Sequence, residues 1–163
     1  LCAFVPALAT GSGMTEVELA MLFTAEALAF TFTNVFAGTL SDRVGRKPVM
    51  TIGLLCTSAD LIAFFYANTF WQLLFLMALF GFGSSSVYLM SSTMAADILP
   101  EENRAMLFGA FDALIDLGMV VGPSVSLAVL SISGWGISYS FLIMVVPLIL
   151  ALGLAFQTKE TRV

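Results

Sequence analysis

Few residues in this chain are able to do chemistry, and most of them are acids. Glu26, Asp60, Asp112 and Asp116 stand inside long apolar runs that contain no Lys, Arg or His. An ionisable group in such a run is costly, which makes it a candidate for proton coupling or for holding a cationic substrate. Burial disfavours the charged form of a carboxyl, so an acid with no cation beside it is suited to taking up and releasing a proton. Asp112 and Asp116 are one helical turn apart and share a face. Counting about 1.5 Å per residue from Arg104 places Asp116 about 18 Å deep, near the middle of a bilayer. Asp116 is therefore the first candidate for coupling and Glu26 the second. Structural roles stay open: for Asp112 and Asp116 a bond to a neighbouring backbone or Ser hydroxyl, and for Glu26 a polar cluster with Thr33 and Asn34.

The second group is cationic. Between two apolar runs lies Gly38-Thr39-Leu40-Ser41-Asp42-Arg43-Val44-Gly45-Arg46-Lys47-Pro48-Val49-Met50, which holds half of the six positive charges. Gly38 and Gly45 are expected to let the backbone turn tightly and neighbouring helices approach closely. Asp97 lies just before Pro100, at the end of another apolar run. An Arg46–Asp97 pair at the membrane surface is expected, partly desolvated and geometrically specific. The simpler alternative is that these cations only hold the loop on the cytoplasmic side.

The elements that position these groups follow from composition. The chain is 60% hydrophobic and 10% charged, with a mean hydropathy of +1.01 and no His. Soluble domains carry roughly a quarter charged residues, so this chain is read as a membrane protein whose first partner is the lipid bilayer. The net charge of -5 then carries no message about nucleic acid, and none is expected as a partner. Cys2 and Cys56 lack metal-site spacing and are read as small buried hydrophobes. With no His, no Cys/His cluster and no nucleophile beside the paired acids, neither an enzyme nor a metal site is expected.

A spanning helix needs about 20 apolar residues. Five runs qualify: 19–40, 49–67, 70–94, 105–130 and 135–156. Residues 1–9 lack the charged start of a signal peptide and are read as the outer end of a truncated sixth span. The loops between are short, as for antiparallel neighbours. With this count Arg43, Arg46, Lys47, Arg104, Lys159 and Arg162 fall on one side, which the positive-inside rule makes cytoplasmic. Loops 41–48 and 97–104 and the tail after residue 156 are thus cytoplasmic, and Tyr66, Trp71, Trp135 and Tyr139 mark the outer interface.

The pattern G-x-L-S-D-R-x-G-R-K, complete from Gly38 to Lys47, resembles the signature loop of the major facilitator superfamily of secondary transporters, which joins the second and third helices of a six-helix half. Gly118-Met119-Val120-Val121-Gly122-Pro123 resembles the G-x-x-x-G-P motif of proton-coupled antiporters, many of them drug exporters. That motif continues to a Gly pair where this chain has Ser126-Leu127. The resemblance implies an all-α transmembrane bundle: one six-helix half with its first helix truncated, residues 1–163 as one unit, and a missing other half that completes the substrate path. Met77, where an amino-terminal half often has Arg four residues before a Gly, and the end of the chain seven residues beyond Phe156 suggest the carboxy-terminal half. The sharpness of the loop signature argues for the amino-terminal one.

In function, the resemblance implies a small molecule moved by alternating access, with a proton gradient and no other cofactor, in the direction of efflux. A sugar or metabolite symporter or uniporter of the same superfamily stays open, as does a membrane structural or signalling protein that does not transport. It also implies that the loop around Asp42 and Arg46 is a latch for the outward-facing state. Gly118, Gly122 and Ser126 form a small-residue stripe for a packed helix, and Pro123 is expected to bend its helix. Gly81, Gly83 and residues 84–86 are read as similar packing positions.

Overall fold

In hydrocarbon every backbone N–H and C=O must find its partner within the protein, which an α-helix does residue by residue. The structure, a computed structural model, describes residues 4–134 and 136–157. Leu1, Cys2, Trp135, Lys159 and Arg162 lie outside them. Six α-helices and one 3-10 turn account for the described elements: α1 (Val5–Gly11), α2 (Glu16–Val44), α3 (Arg46–Tyr66), α4 (Phe70–Ile98), the turn Glu101–Asn103, α5 (Arg104–Ser133) and α6 (Tyr139–Gln157). There is no strand among the described residues, and the all-α expectation holds.

Local sequence explains the helix ends. Thr15 and Glu18 form a capping box at the start of α2: Thr15 Oγ1 accepts from the Glu18 N–H at 3.3 Å, and the Glu18 carboxylate accepts from the Thr15 N–H at 2.8 Å. Before α4, the Gln72 side-chain carbonyl accepts from the Asn68 and Thr69 N–H groups. Gly134, left-handed at φ 68°, stops α5. Gly45, at φ 101°, separates α2 from α3, a backbone conformation that only glycine adopts without strain.

The apolar runs understate the helices. Loop 41–48 is helical on both sides of Gly45, so a single residue makes the turn. Hydropathy marks where hydrocarbon ends, whereas the helix continues into the polar interface because its hydrogen bonds are internal. Loop 97–104 likewise begins inside α4 and ends in α5, around a 3-10 turn. Gly38, expected at a turn, lies within α2 with nothing near the place its side chain would occupy. α6 starts at Tyr139 rather than 135. Among the described residues, four helices, α2 to α5, are long and apolar enough to cross a membrane, and α6 contributes a shorter apolar helix.

α4 is the centre of the packing. α2 and α3 both lie along it, α6 packs on α3, and α5 stands at the edge with much slighter contact. Two apolar clusters result. Phe4, Leu22, Phe64, Leu73, Met77 and Phe141 fill one end, and Ala37, Met50, Leu54, Met90, Met94 and Ala155 fill the other. Between them the backbones nearly touch. A methyl at Gly81 would collide with the carbonyl oxygen of Glu26 in α2, and one at Gly83 with the hydroxyl of Thr57 in α3. A methyl at Gly53 would meet Ser86 of α4 at 2.9 Å.

The stripe expected on α5 is different. Nothing in the described residues lies near Gly118 or Gly122, and only Ser126 and Leu130 of that helix are buried. Gly81→Ala and Gly83→Ala are therefore expected to destabilise the bundle by about 1–3 kcal/mol each, as overpacking does. Gly118→Ala is expected to leave the packing described here unchanged. Thermal unfolding in detergent checks all three.

Candidate functional site

Gly45 sets the geometry of the charged end. Because the turn is one residue, Arg46 is the first residue of α3, and its side chain reaches the last turn of α4. There the guanidinium pairs with the Asp97 carboxylate and donates to the Thr93 carbonyl at 3.1 Å. Thr93 and Asp97 are one turn apart, so a single Arg clamps both the side chain and the backbone of that turn. A cation is also favoured there by the helix dipole, since the last carbonyls of α4 lack helical partners. The two side chains are 23% and 22% exposed, a largely covered pair that water still reaches rather than a fully buried one.

Asp42 and Arg43 do not join this contact. Asp42 and Arg43 lie exposed in the last turn of α2, and Lys47 is half-buried in the first turn of α3. The pair also puts the α2–α3 turn and the α4–α5 connection at the same end of the bundle. Aromatic rings gather at the opposite end: Phe65 meets both Tyr66 and Tyr139 edge-on, and Phe70 meets Trp71.

The four acids are dispersed over three helices. Asp60 of α3 is fully buried, and both its carboxylate oxygens lack a hydrogen-bond partner among the described residues. Glu26 of α2 is half-buried, and its backbone carbonyl lies against Gly81. Asp112 and Asp116 are exposed on α5. The burial expected of Asp116 is thus not provided by this chain, because α5 hardly packs on the other helices.

Glu26 does not join a polar cluster with Thr33 and Asn34. Thr33 bonds back to the Ala29 carbonyl of its own helix. Asn34 instead pairs across to α4, where Ser85 donates to the Asn34 side-chain oxygen at 2.9 Å and lies 3.0 Å from the Phe30 carbonyl. The Asn34–Ser85 bond was not anticipated. The signal for it was present in one polar amide and a Ser run on two adjacent apolar helices, a common way of joining helices in membranes. Pro123 is accommodated within an unbroken α5.

Four long apolar helices, a charged clamp at one end and an aromatic belt at the other define an integral membrane protein. The sequence profile of the Major Facilitator Superfamily matches residues 1–162, and the chain belongs to that family of transporters. It is 31% identical over 113 residues to the quinolone resistance protein NorA of Staphylococcus aureus, covering 69% of this chain and 29% of that protein. It is 28% identical over 158 residues to the 4-hydroxybenzoate transporter PcaK of Pseudomonas aeruginosa, covering 96% of this chain and 35% of that protein. The matched stretches thus span about a third of these relatives' length.

For the clamp, a double-mutant cycle of Arg46→Ala and Asp97→Ala is expected to give a coupling of about 0.5–1 kcal/mol, the upper range for pairs that water still reaches. The coupling should shrink in high salt. Thermal unfolding of the three variants at two salt concentrations measures it. A coupling indistinguishable from zero would show that the two side chains act separately.

Proposed function

We propose that this chain is one six-helix half of a transporter that exports a small molecule by alternating access, coupled to a proton gradient. The observation that carries the reading is the uncovered face of α5. Hydrocarbon does not accept two carboxyls one turn apart, so a helix bearing Asp112 and Asp116 must turn them towards water or other protein. A water-lined path shared with a second half meets that need, and Asp116 is the group on it that we assign to proton loading and release. Glu26, Asp60 and Asp112 are the alternatives. Asp60, packed among helices, is less suited to meeting each side of the membrane in turn.

The Arg46–Asp97 clamp supports the same reading. It closes one end of α3 on α4 and would have to loosen when the path opens to that side. By the positive-inside rule, the end with Arg43, Arg46, Lys47 and Arg104 faces the cytoplasm, and with it loops 41–48 and 97–104. Export of a drug-like molecule is favoured by the likeness to a protein named for quinolone resistance. Movement of an aromatic acid metabolite is the second reading, favoured by the likeness to a 4-hydroxybenzoate transporter over nearly the whole chain.

Vesicles holding the full-length transporter test these readings. With a pH gradient imposed, inside-out vesicles are expected to accumulate a fluorescent quinolone, and vesicles without the gradient are not. Accumulation of 4-hydroxybenzoate in right-side-out vesicles, with no quinolone movement, would select the second reading. Asp116→Asn is expected to lose gradient-driven accumulation while still binding substrate. Undiminished activity would make Asp116 structural and pass its role to another acid.

Asp42→Asn and Arg46→Ala are expected to slow transport without preventing membrane insertion. Normal rates in both would leave the loop with a topological role only.

A further inference from the structure

Tyrosine in membrane helices favours the interfaces, where its hydroxyl meets water. Tyr88 stands elsewhere. Asn34 of α2 and Tyr88 of α4 each lie about 15 Å before the last residues of their helices, Val44 and Ile98, which is the mid-depth of a bilayer. Close approach at Gly81 brings these two helices together just before this level. Phe30 of α2 then lies against Tyr88, with ring centroids 6.4 Å apart and planes inclined at 42°. The Ser85 hydroxyl donates to the Asn34 side-chain oxygen at 2.9 Å, which fixes the amide and leaves its N–H groups pointing away from that bond. Among the described residues, neither those N–H groups nor the Tyr88 hydroxyl has a hydrogen-bond partner. Tyr88 remains 44% exposed.

Hydrocarbon is a poor neighbour for such donors, because each would stand there unsatisfied. A water-lined path suits them, and the rings add an affinity that water does not use. An aromatic ring with an open face takes another ring in offset or edge contact. An amide N–H beside it calls for an acceptor oxygen. The surroundings set the charge of the ligand. Glu26, half-buried, stands one turn before Phe30, while α4 holds no Lys, Arg or His and α2 only Arg43, in its last turn. An anion placed at this level would lose its water without gaining a cation.

We propose that Phe30, Asn34 and Tyr88 form a substrate subsite for an uncharged, planar aromatic compound with a carbonyl group at its edge. The ring packs on Tyr88, which Phe30 backs from the other side, and the carbonyl oxygen accepts from the Asn34 amide. The inference rests on the reading of this chain as half of a transporter, and it names the chemistry that one wall of the path selects.

Equilibrium dialysis of 2-naphthamide against the full-length protein in detergent, with empty micelles as the blank, tests the subsite without a gradient. Saturable binding is expected, with 2-naphthoate bound about tenfold more weakly and cyclohexanecarboxamide unable to compete. Tyr88→Leu is expected to weaken naphthamide binding about tenfold, and Tyr88→Phe, which keeps the ring, to restore it. Asn34→Asp, which keeps the oxygen that Ser85 holds and removes the N–H donors, is expected to weaken it about fivefold. Binding unchanged by Tyr88→Leu would overturn the ring contact, and binding unchanged by Asn34→Asp the carbonyl contact. Naphthoate bound as tightly as naphthamide would overturn the uncharged class. Absence of saturable naphthamide binding, in protein that still accumulates a fluorescent quinolone under a pH gradient, would overturn the subsite and leave the transport reading standing. The expected binding pattern without gradient-driven movement of either compound would sustain the subsite and sink the transport reading instead.

Discussion

Lipid tails are as apolar as the side chains they meet, so burial of apolar surface does not by itself draw helices together in a membrane. Association depends on close contact, and here that contact is concentrated along α4. Gly81 lets α4 meet the backbone of α2, while Gly83, with Gly53 opposite, lets it meet α3. The remaining architecture follows from those approaches. They bring Ser85 within reach of Asn34, set the apolar clusters above and below the glycines, and align the end of α4 with the start of α3.

That alignment makes the Arg46 clamp possible. The guanidinium holds one carboxylate and one backbone carbonyl of the same turn, so it opposes movement of α3 relative to the end of α4. The pair is still reached by water, and its worth is modest because water competes for both partners. A contact of that strength is readily broken and remade. A deeply buried pair would resist opening far more, since separating its charges leaves each without a partner.

α5 has the opposite character. It is the longest helix described, at 30 residues, and one of the least covered; its acids and its glycines face away from the other described helices. Tight packing at α4 and an open, acid-bearing α5 divide the bundle into a firm part and a more open one. The Asp60 carboxyl, enclosed without a polar partner, belongs to the firm part.

Much of this was legible in the sequence because bilayer thickness imposes a length on apolar runs and internal hydrogen bonding imposes the helix on each run. Element type and the Arg46–Asp97 pair follow from those rules and from the spacing of Gly45 and Pro100. The helices extend past the apolar runs at 41–48, because hydropathy reports the edge of hydrocarbon and not the last backbone hydrogen bond. Only the tertiary structure decided which small residues lie at contacts. Gly81 and Gly118 look alike in sequence, and the difference between them is whether another backbone passes alongside. The same holds for the acids: Asp60 and Asp116 both stand in apolar helices, but one is enclosed by α3's neighbours and the other is left open. Burial is a property of what the other helices do, and a single helix's residues do not encode it.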